Sequence, residues 1–210
     1  VPSTGRRRPG RPPAAKADET RKRILDAARL VFSERGYDGA TFQAIAVRAD
    51  LTRPAINHYF PSKRMLYREV VAETNEMVVA AGIKRAGGET TLMGRIGSFI
   101  SAAMDANSEN PSASAFLVTN VLESHRHPEL NKSGNDAVRT SREFLTWAVN
   151  DAIERGEVEP DIDVAALTET LLVLLCGVGF YSGYLRSREM ADLTEMLRRL
   201  LAGALFRPDR

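Results

Sequence analysis

The sequence predicts an all-α fold, on three observations. From Glu19 almost to the end, apolar residues recur at three- and four-residue spacing. No stretch alternates at a two-residue period between hairpin turns. Several of the periodic runs begin after Ser, Thr or Asp and end at Gly or Pro, the residues that start and stop helices.

Residues 1–18 carry no such periodicity. Pro2, Pro9, Pro12 and Pro13 alternate there with Arg6, Arg7, Arg8 and Arg11, which reads as a disordered basic arm. The first helix starts at Glu19, places Ile24, Leu25, Ala28, Val31 and Phe32 on one face, and stops at Gly36. Tyr37 to Ala40 form a turn, and Thr41 caps a short helix from Phe42 to Ala49. Asp50 and Leu51 break it, and Thr52 caps a second short helix from Arg53 to Phe60. Pro54 is tolerated because first-turn N–H groups have no intrahelical partner. Pro61 ends that helix and Ser62 caps a long one reaching about Arg85, before Gly87 and Gly88. Further helices are expected over Leu92–Ala106, Ser112–Ser124 and Glu129–Arg155, with Ser133-Gly134-Asn135 able to delay the start of the last. Asp163 then caps a helix through Leu185, and a final one runs from Arg188 to Leu205, about nine in all.

The chain has 210 residues, 43 % hydrophobic and 27 % charged, enough to bury a substantial core. One cysteine, Cys176, excludes an intramolecular disulfide framework and a Cys-cluster zinc site, and fits a reducing cytoplasm. The most apolar stretch, Leu171 to Leu185, is read as too short to span a bilayer, and the first residues lack the apolar run of a signal peptide. A cytoplasmic protein is expected. The net charge of +2 hides an asymmetry: residues 1–68 hold 15 Lys/Arg against 6 Asp/Glu, and residues 69–210 hold 14 against 21. That split points to a polyanion at the N-terminal end, either nucleic acid or an anionic membrane surface.

Two short helices joined by a tight turn and followed by a long one form the layout of a helix-turn-helix. Ile45, Ala46, Ala49, Leu51, Ile56 and Phe60 fall where they would pack on Ile24, Ala28 and Phe32. Arg53, Pro54, Asn57 and His58 remain near the outward, N-terminal side of the second short helix, the part of a recognition helix that enters the major groove. Arg suits guanine O6 and N7, Asn suits adenine, and the proline face suits a thymine methyl. Lys63, at the start of the next helix, suits a phosphate.

The run from Ile24-Leu25-Asp26-Ala27-Ala28 to Phe32-Ser33-Glu34-Arg35-Gly36-Tyr37, then Thr41, Ile45-Ala46 and Ala55-Ile56-Asn57-His58-Tyr59-Phe60-Pro61-Ser62-Lys63, resembles the DNA-binding domain of TetR-family repressors. The resemblance implies a homodimeric, ligand-responsive regulator, most often a repressor on a palindromic operator, with six further helices of which the last two form the dimer interface. It places Gln43, Arg53, Pro54 and Asn57 at base edges and Thr41, Tyr59 and Lys63 at phosphates. Asn57 stands where the family often has tyrosine, and Ala44 replaces a common acidic residue, which leaves the operator sequence open. Tyr59 also fits packing between helices, Lys63 a solvated helix start, and His58 a surface histidine. In the arm, Arg8-Pro9-Gly10-Arg11-Pro12 resembles an AT-hook core, in which Arg8 and Arg11 meet DNA. Pro9 departs from that pattern, and non-specific phosphate attraction is the preferred reading.

Three segments follow: the arm at 1–18, the helix-turn-helix domain at 19–66, and an effector-binding and dimerisation domain at 67–210. The helix from Val164 to Leu185 is apolar nearly all round, and the last helix carries Met190, Leu193, Met196, Leu197, Leu200 and Leu201. The pair suits a four-helix contact with a second copy, which a two-fold DNA site needs. An effector cavity is expected among Met77, Phe99, Met104, Phe116, Asn120, Phe144, Trp147 and Tyr181, although each also fits plain core. Scarce interior charge points to an apolar or amphipathic effector. His125 and His127, near Asp105 and Glu123, fit helix-end capping better than a metal, because residues two apart do not share a helix face. No cofactor and no catalytic constellation is expected. The competing readings are an all-α enzyme or carrier with a basic docking end, and a peripheral membrane binder. The first lacks convergent catalytic groups and the second an amphipathic anchor.

Overall fold

The computed structural model describes residues 13–130, 136–185 and 190–201; Arg8 and Arg11 lie outside them. The described residues form nine helices and no strand. Helix α1 is Pro13–Gly39, α2 Phe42–Arg48, α3 Arg53–Tyr59 and α4 Lys63–Asn75, which continues through a π-helical turn, Glu76–Ala80, into Ala81–Ala86. Then come α5 (Leu92–Glu109), α6 (Ala113–Arg126), α7 (Ala137–Glu154), α8 (Val164–Phe180, prolonged by a second π-helical turn, Tyr181–Leu185) and α9 (Met190–Leu201).

Local chemistry accounts for most of these boundaries. Thr41, Thr52, Ser62, Thr91 and Asp163 each accept a hydrogen bond from the backbone N–H three residues on, so the expected caps of α2, α3, α4 and α8 are formed. Two starts differ from expectation. Helix α1 begins at Pro13, so residues 13–18 belong to it rather than to an arm; proline suits a first turn, and Ala14, Ala15, Lys16 and Ala17 are strong helix formers. Helix α7 begins at Ala137 rather than Glu129, because the Asp136 carboxylate takes the N–H groups of Val138 and Arg139 at 2.9 and 3.2 Å. Pro128–Leu130 is a separate 3₁₀ turn. The expected limits of the last helix, Arg188 and Leu205, lie outside the described residues.

The first core joins α1, α2 and α3 through Ile24, Ala28, Phe32, Ile45, Ile56 and Phe60. It does not stop at residue 66. Leu66, Tyr67 and Val70 of α4 carry it on to Phe116 of α6 and to Leu130, so head and body share one apolar interior. A second core, around Ile96, Phe99, Leu145, Val149 and Leu171, holds α5, α7 and α8. Buried Arg95 ties α5 to α7 by pairing with Asp151 and donating to the Glu89 carbonyl. That guanidinium holds the Asp151 carboxyl below its usual range.

Helix α8 corrects the length argument made from the sequence. Val164–Tyr184 is 21 residues, long and apolar enough to cross a membrane by length and composition, and only 22 % of its most apolar window is buried. Val173 is 68 % and Phe180 49 % exposed.

Glycine is required at one bend. Gly36 interrupts α1 at φ +68°, and a Cβ there would stand 2.8 Å from Oε1 of Glu123. Gly36→Ala should therefore cost about 1–3 kcal/mol in urea unfolding. Gly97→Ala, where a Cβ meets nothing within 4 Å, should be neutral or stabilise by up to about 1 kcal/mol.

Candidate nucleic-acid interface and its neighbouring cavity

The head is built around the turn between α2 and α3. Asp50 adopts φ +51°, a left-handed conformation that Asp tolerates, and Arg23 of α1 donates to the carbonyls of Ala49 (2.6 Å) and Asp50 (3.3 Å). That clamp fixes where α3 begins. Ile56 and Phe60 anchor α3 in the core, and opposite them Arg53, Pro54, Asn57 and His58 are exposed. The side chains of Gln43, Arg53 and Asn57 are also exposed, and spend no hydrogen bond on the described residues. Thr41 is exposed, with its hydroxyl occupied as the α2 cap. Tyr59 is half-buried, packs against the head core, and meets His58 edge to face at 5.4 Å.

Lys63 is more occupied than its sequence position suggests. Its ammonium donates to the carbonyls of Tyr37 (2.7 Å), Asp38 (3.3 Å) and Ala40 (3.1 Å), and stands 4.5 Å from the Tyr37 ring. It closes the end of α1, where orphan carbonyls favour a cation. Other cations of the basic segment are also internally engaged. Arg29, 1 % exposed, bonds Thr74 at 3.0 Å and pairs with Asp26 and Glu73; Arg48 bonds both carboxylate oxygens of Glu34. Arg21 pairs with Glu69 and lies over the Phe60 ring. Arg53 and Arg64 are exposed and make no such bond with the described residues.

Below the head, an aromatic seam ties it to α6. Tyr67 meets Phe32 edge-on at 4.9 Å, Tyr37 at 5.1 Å and Phe116 at 5.6 Å, and its hydroxyl donates to Asn120 Oδ1 at 2.8 Å. At the rim His127 contacts Asp38 at 3.1 Å and Glu129 at 3.3 Å. Asp105 pairs with Arg85.

A cavity of about 410 Å³ lies between α4, α5, α6, α7 and α8, a size ordinary for small-molecule sites. Phe99 and Met104 line it, as expected. The other expected residues stand elsewhere. Phe116 and Asn120 belong to the seam, and Phe144 stacks behind Phe99 at 5.8 Å. Trp147 faces outward, 48 % exposed beneath Arg95, while Met77 packs on the small cluster of Val78, Ala106 and Ala113. Tyr181 does not reach the lining. Residues missed from the sequence, including Val78, Val79, Val118, Ser141 and Leu175, take their places. Val78 and Val79 come from one π-helical turn and Ser182 from the other.

Comparison with known proteins agrees with this geometry. Residues 24–70 match the family model described as bacterial regulatory proteins, tetR family. The chain is 30 % identical over 162 residues to the HTH-type transcriptional regulator UidR of Escherichia coli K12, covering 77 % of this chain and 81 % of that one. In fold it is similar to the TetR-family regulator PfmR from Thermus thermophilus, with a TM-score of 0.70 and 24 % identity over 88 % of this chain and 100 % of that one. It is similar also to FadR from Bacillus subtilis, solved with stearoyl-CoA, with a TM-score of 0.68 and 19 % identity over 86 % and 96 %.

Burial pushes the Tyr67 phenol well above its ordinary value, so it stays protonated and donates to Asn120. A phenol raised by folding favours the folded state below about pH 10 and loses that contribution as pH climbs beyond it. Tyr67→Phe should cost about 1 kcal/mol at pH 7 and flatten the fall of stability above about pH 10, read from denaturation midpoints across pH.

Proposed function

The chain belongs to the TetR family of bacterial regulatory proteins, and from that premise we propose that it acts as a homodimeric repressor released from a palindromic operator by a small apolar or amphipathic effector. It is a DNA-binding transcriptional regulator and not an enzyme, in keeping with its relatives. The observation that carries the reading is α3 itself. Its inner face is fixed by Ile56 and Phe60, its start is clamped by Arg23, and its outer face offers Arg53, Pro54 and Asn57 unengaged.

In this reading Gln43, Arg53, Pro54 and Asn57 meet base edges, Thr41 and Tyr59 meet phosphates, and the arm with Arg8 and Arg11 adds sequence-independent attraction. Lys63 acts at the phosphate backbone from its seat on the α1 carbonyls, by its charge and by holding the Thr41 turn in place. Two heads must stand roughly 34–36 Å apart to occupy successive major grooves. The exposed apolar face of α8, with Leu193, Met196 and Leu200 of α9, supports pairing with a second copy rather than with lipid. The cytoplasm, where the chromosome lies, is the expected location. The effector occupies the α4–α8 cavity and releases the operator by binding the released conformation more tightly than the bound one.

Fluorescence anisotropy with DNA flanking the chain's own gene tests the regulator reading. Selective binding that survives moderate salt is expected, and its absence from a folded preparation would refute the assignment. Asn57→Ala should cost about 1–3 kcal/mol on operator and relax preference at one base pair. Lys63→Ala should weaken operator and random DNA by a common factor. Sedimentation equilibrium should give a dimer that Val173→Glu converts to monomer.

A further inference from the structure

The chemistry of the cavity narrows what it holds, and the inference rests on reading that cavity as the effector site. Among the described residues its lining contains no Lys, Arg, His, Asp or Glu side chain. The one ionisable lining group is the Cys176 thiol, which partial desolvation pushes up from its ordinary value. A carboxylate, phosphate or ammonium placed there would lose its water without gaining a counter-charge.

The lining is nevertheless not wholly apolar. Ser114 of α6 is 4 % exposed and Ser141 of α7 is 8 % exposed, and both line the cavity. Neither hydroxyl makes a hydrogen bond to the described residues. Ser182, by contrast, is already spent on the Gly179 carbonyl at 3.1 Å. Neither the Ser114 nor the Ser141 oxygen is sealed off, so each can be solvated by water in the cavity, and a molecule that displaces that water must bring an oxygen of its own to replace the lost hydrogen bond. The two serines line the cavity from two helices, among residues such as Val118 and Leu175.

We infer that the cavity selects an uncharged, mainly hydrocarbon molecule bearing an alcohol or carbonyl oxygen, and that Ser114 and Ser141 are its specificity-determining residues. Free carboxylates and quaternary amines of equal length are rejected, because nothing in the wall answers their charge.

The test is displacement of the neutral fluorophore N-phenyl-1-naphthylamine from the full chain by 1-decanol, 2-decanone, decanoate and decyltrimethylammonium. The alcohol and the ketone should compete about tenfold better than either ion. In Ser114→Ala/Ser141→Ala that advantage should fall about fivefold, with fluorophore affinity changed less than about twofold, which also reports an intact cavity. Each single variant, nearly isosteric, should show part of the loss. Decanoate or the amine competing as well as decanol, a double variant that binds decanol like the parent, or a fluorophore that fails to bind at all would each overturn the inference. The same preparations are assayed for DNA binding by anisotropy. Failure there sinks the regulator reading, whereas a wrong ligand ranking with DNA binding intact sinks only the assignment of ligand class.

Discussion

Two helices of seven residues cannot hold themselves together in water. Isolated helices shorter than about 12–15 residues are marginal, so α2 and α3 exist only because Ile45, Ala46, Ile56 and Phe60 are buried against α1 and α4. Everything in the head follows from supplying that support. Helix α1 is long enough to underlie both short helices, Arg23 fixes their turn, and Lys63 closes the end of α1 where it bends into α2. The support itself is incomplete without the body, since Phe116 and Leu130 finish the same core. Body and α3 are thereby joined through packed side chains rather than through a flexible tether.

The basic character of the N-terminal segment divides into two jobs. Arg29 is buried and needs Asp26, Glu73 and Thr74 to satisfy its guanidinium; removing one partner of such a buried pair costs about 3–5 kcal/mol. Arg21 and Arg48 sit in surface ion pairs and Lys63 is seated on backbone carbonyls, so the charge of each is partly engaged within the protein. Exposed cations without an internal partner among the described residues include Arg53 and Arg64. Net charge thus identifies a polyanion-binding segment but overstates how much of that charge a partner meets.

What was legible in the sequence was what is decided locally. Thr41, Thr52, Ser62 and Asp163 announce helix starts because each cap is an affair of three residues, and Ile24, Ala28 and Phe32 announce a buried face because the period of a helix is fixed. What was not legible depended on partners far along the chain. Trp147 looks like a cavity wall until Arg95, on another helix, covers its outward ring; Asn120 looks like a ligand contact until Tyr67 takes its oxygen. Ser114 and Ser141 give no signal in a helical pattern, because small residues fit core and surface alike. The same limit explains the length misjudged at α8. Its polar first turns, with Thr168, Glu169 and Thr170, hide how far the apolar helix extends.

The two π-helical turns have a consequence for chain length. A π turn bonds five residues on rather than four, and so carries one residue more than the α-helix it interrupts. Glu76–Ala80 therefore holds a surplus residue in the middle of α4, and Tyr181–Leu185 does the same beyond α8. A single deletion inside Glu76–Ala80 restores regular α geometry while Tyr67 and Gly82 keep facing the neighbours they already have. The same deletion a few residues earlier would rotate every following side chain by about 100° about the axis. A one-residue change of length in this helix is thus absorbed most readily in the stretch that borders the cavity, with the head left as it is.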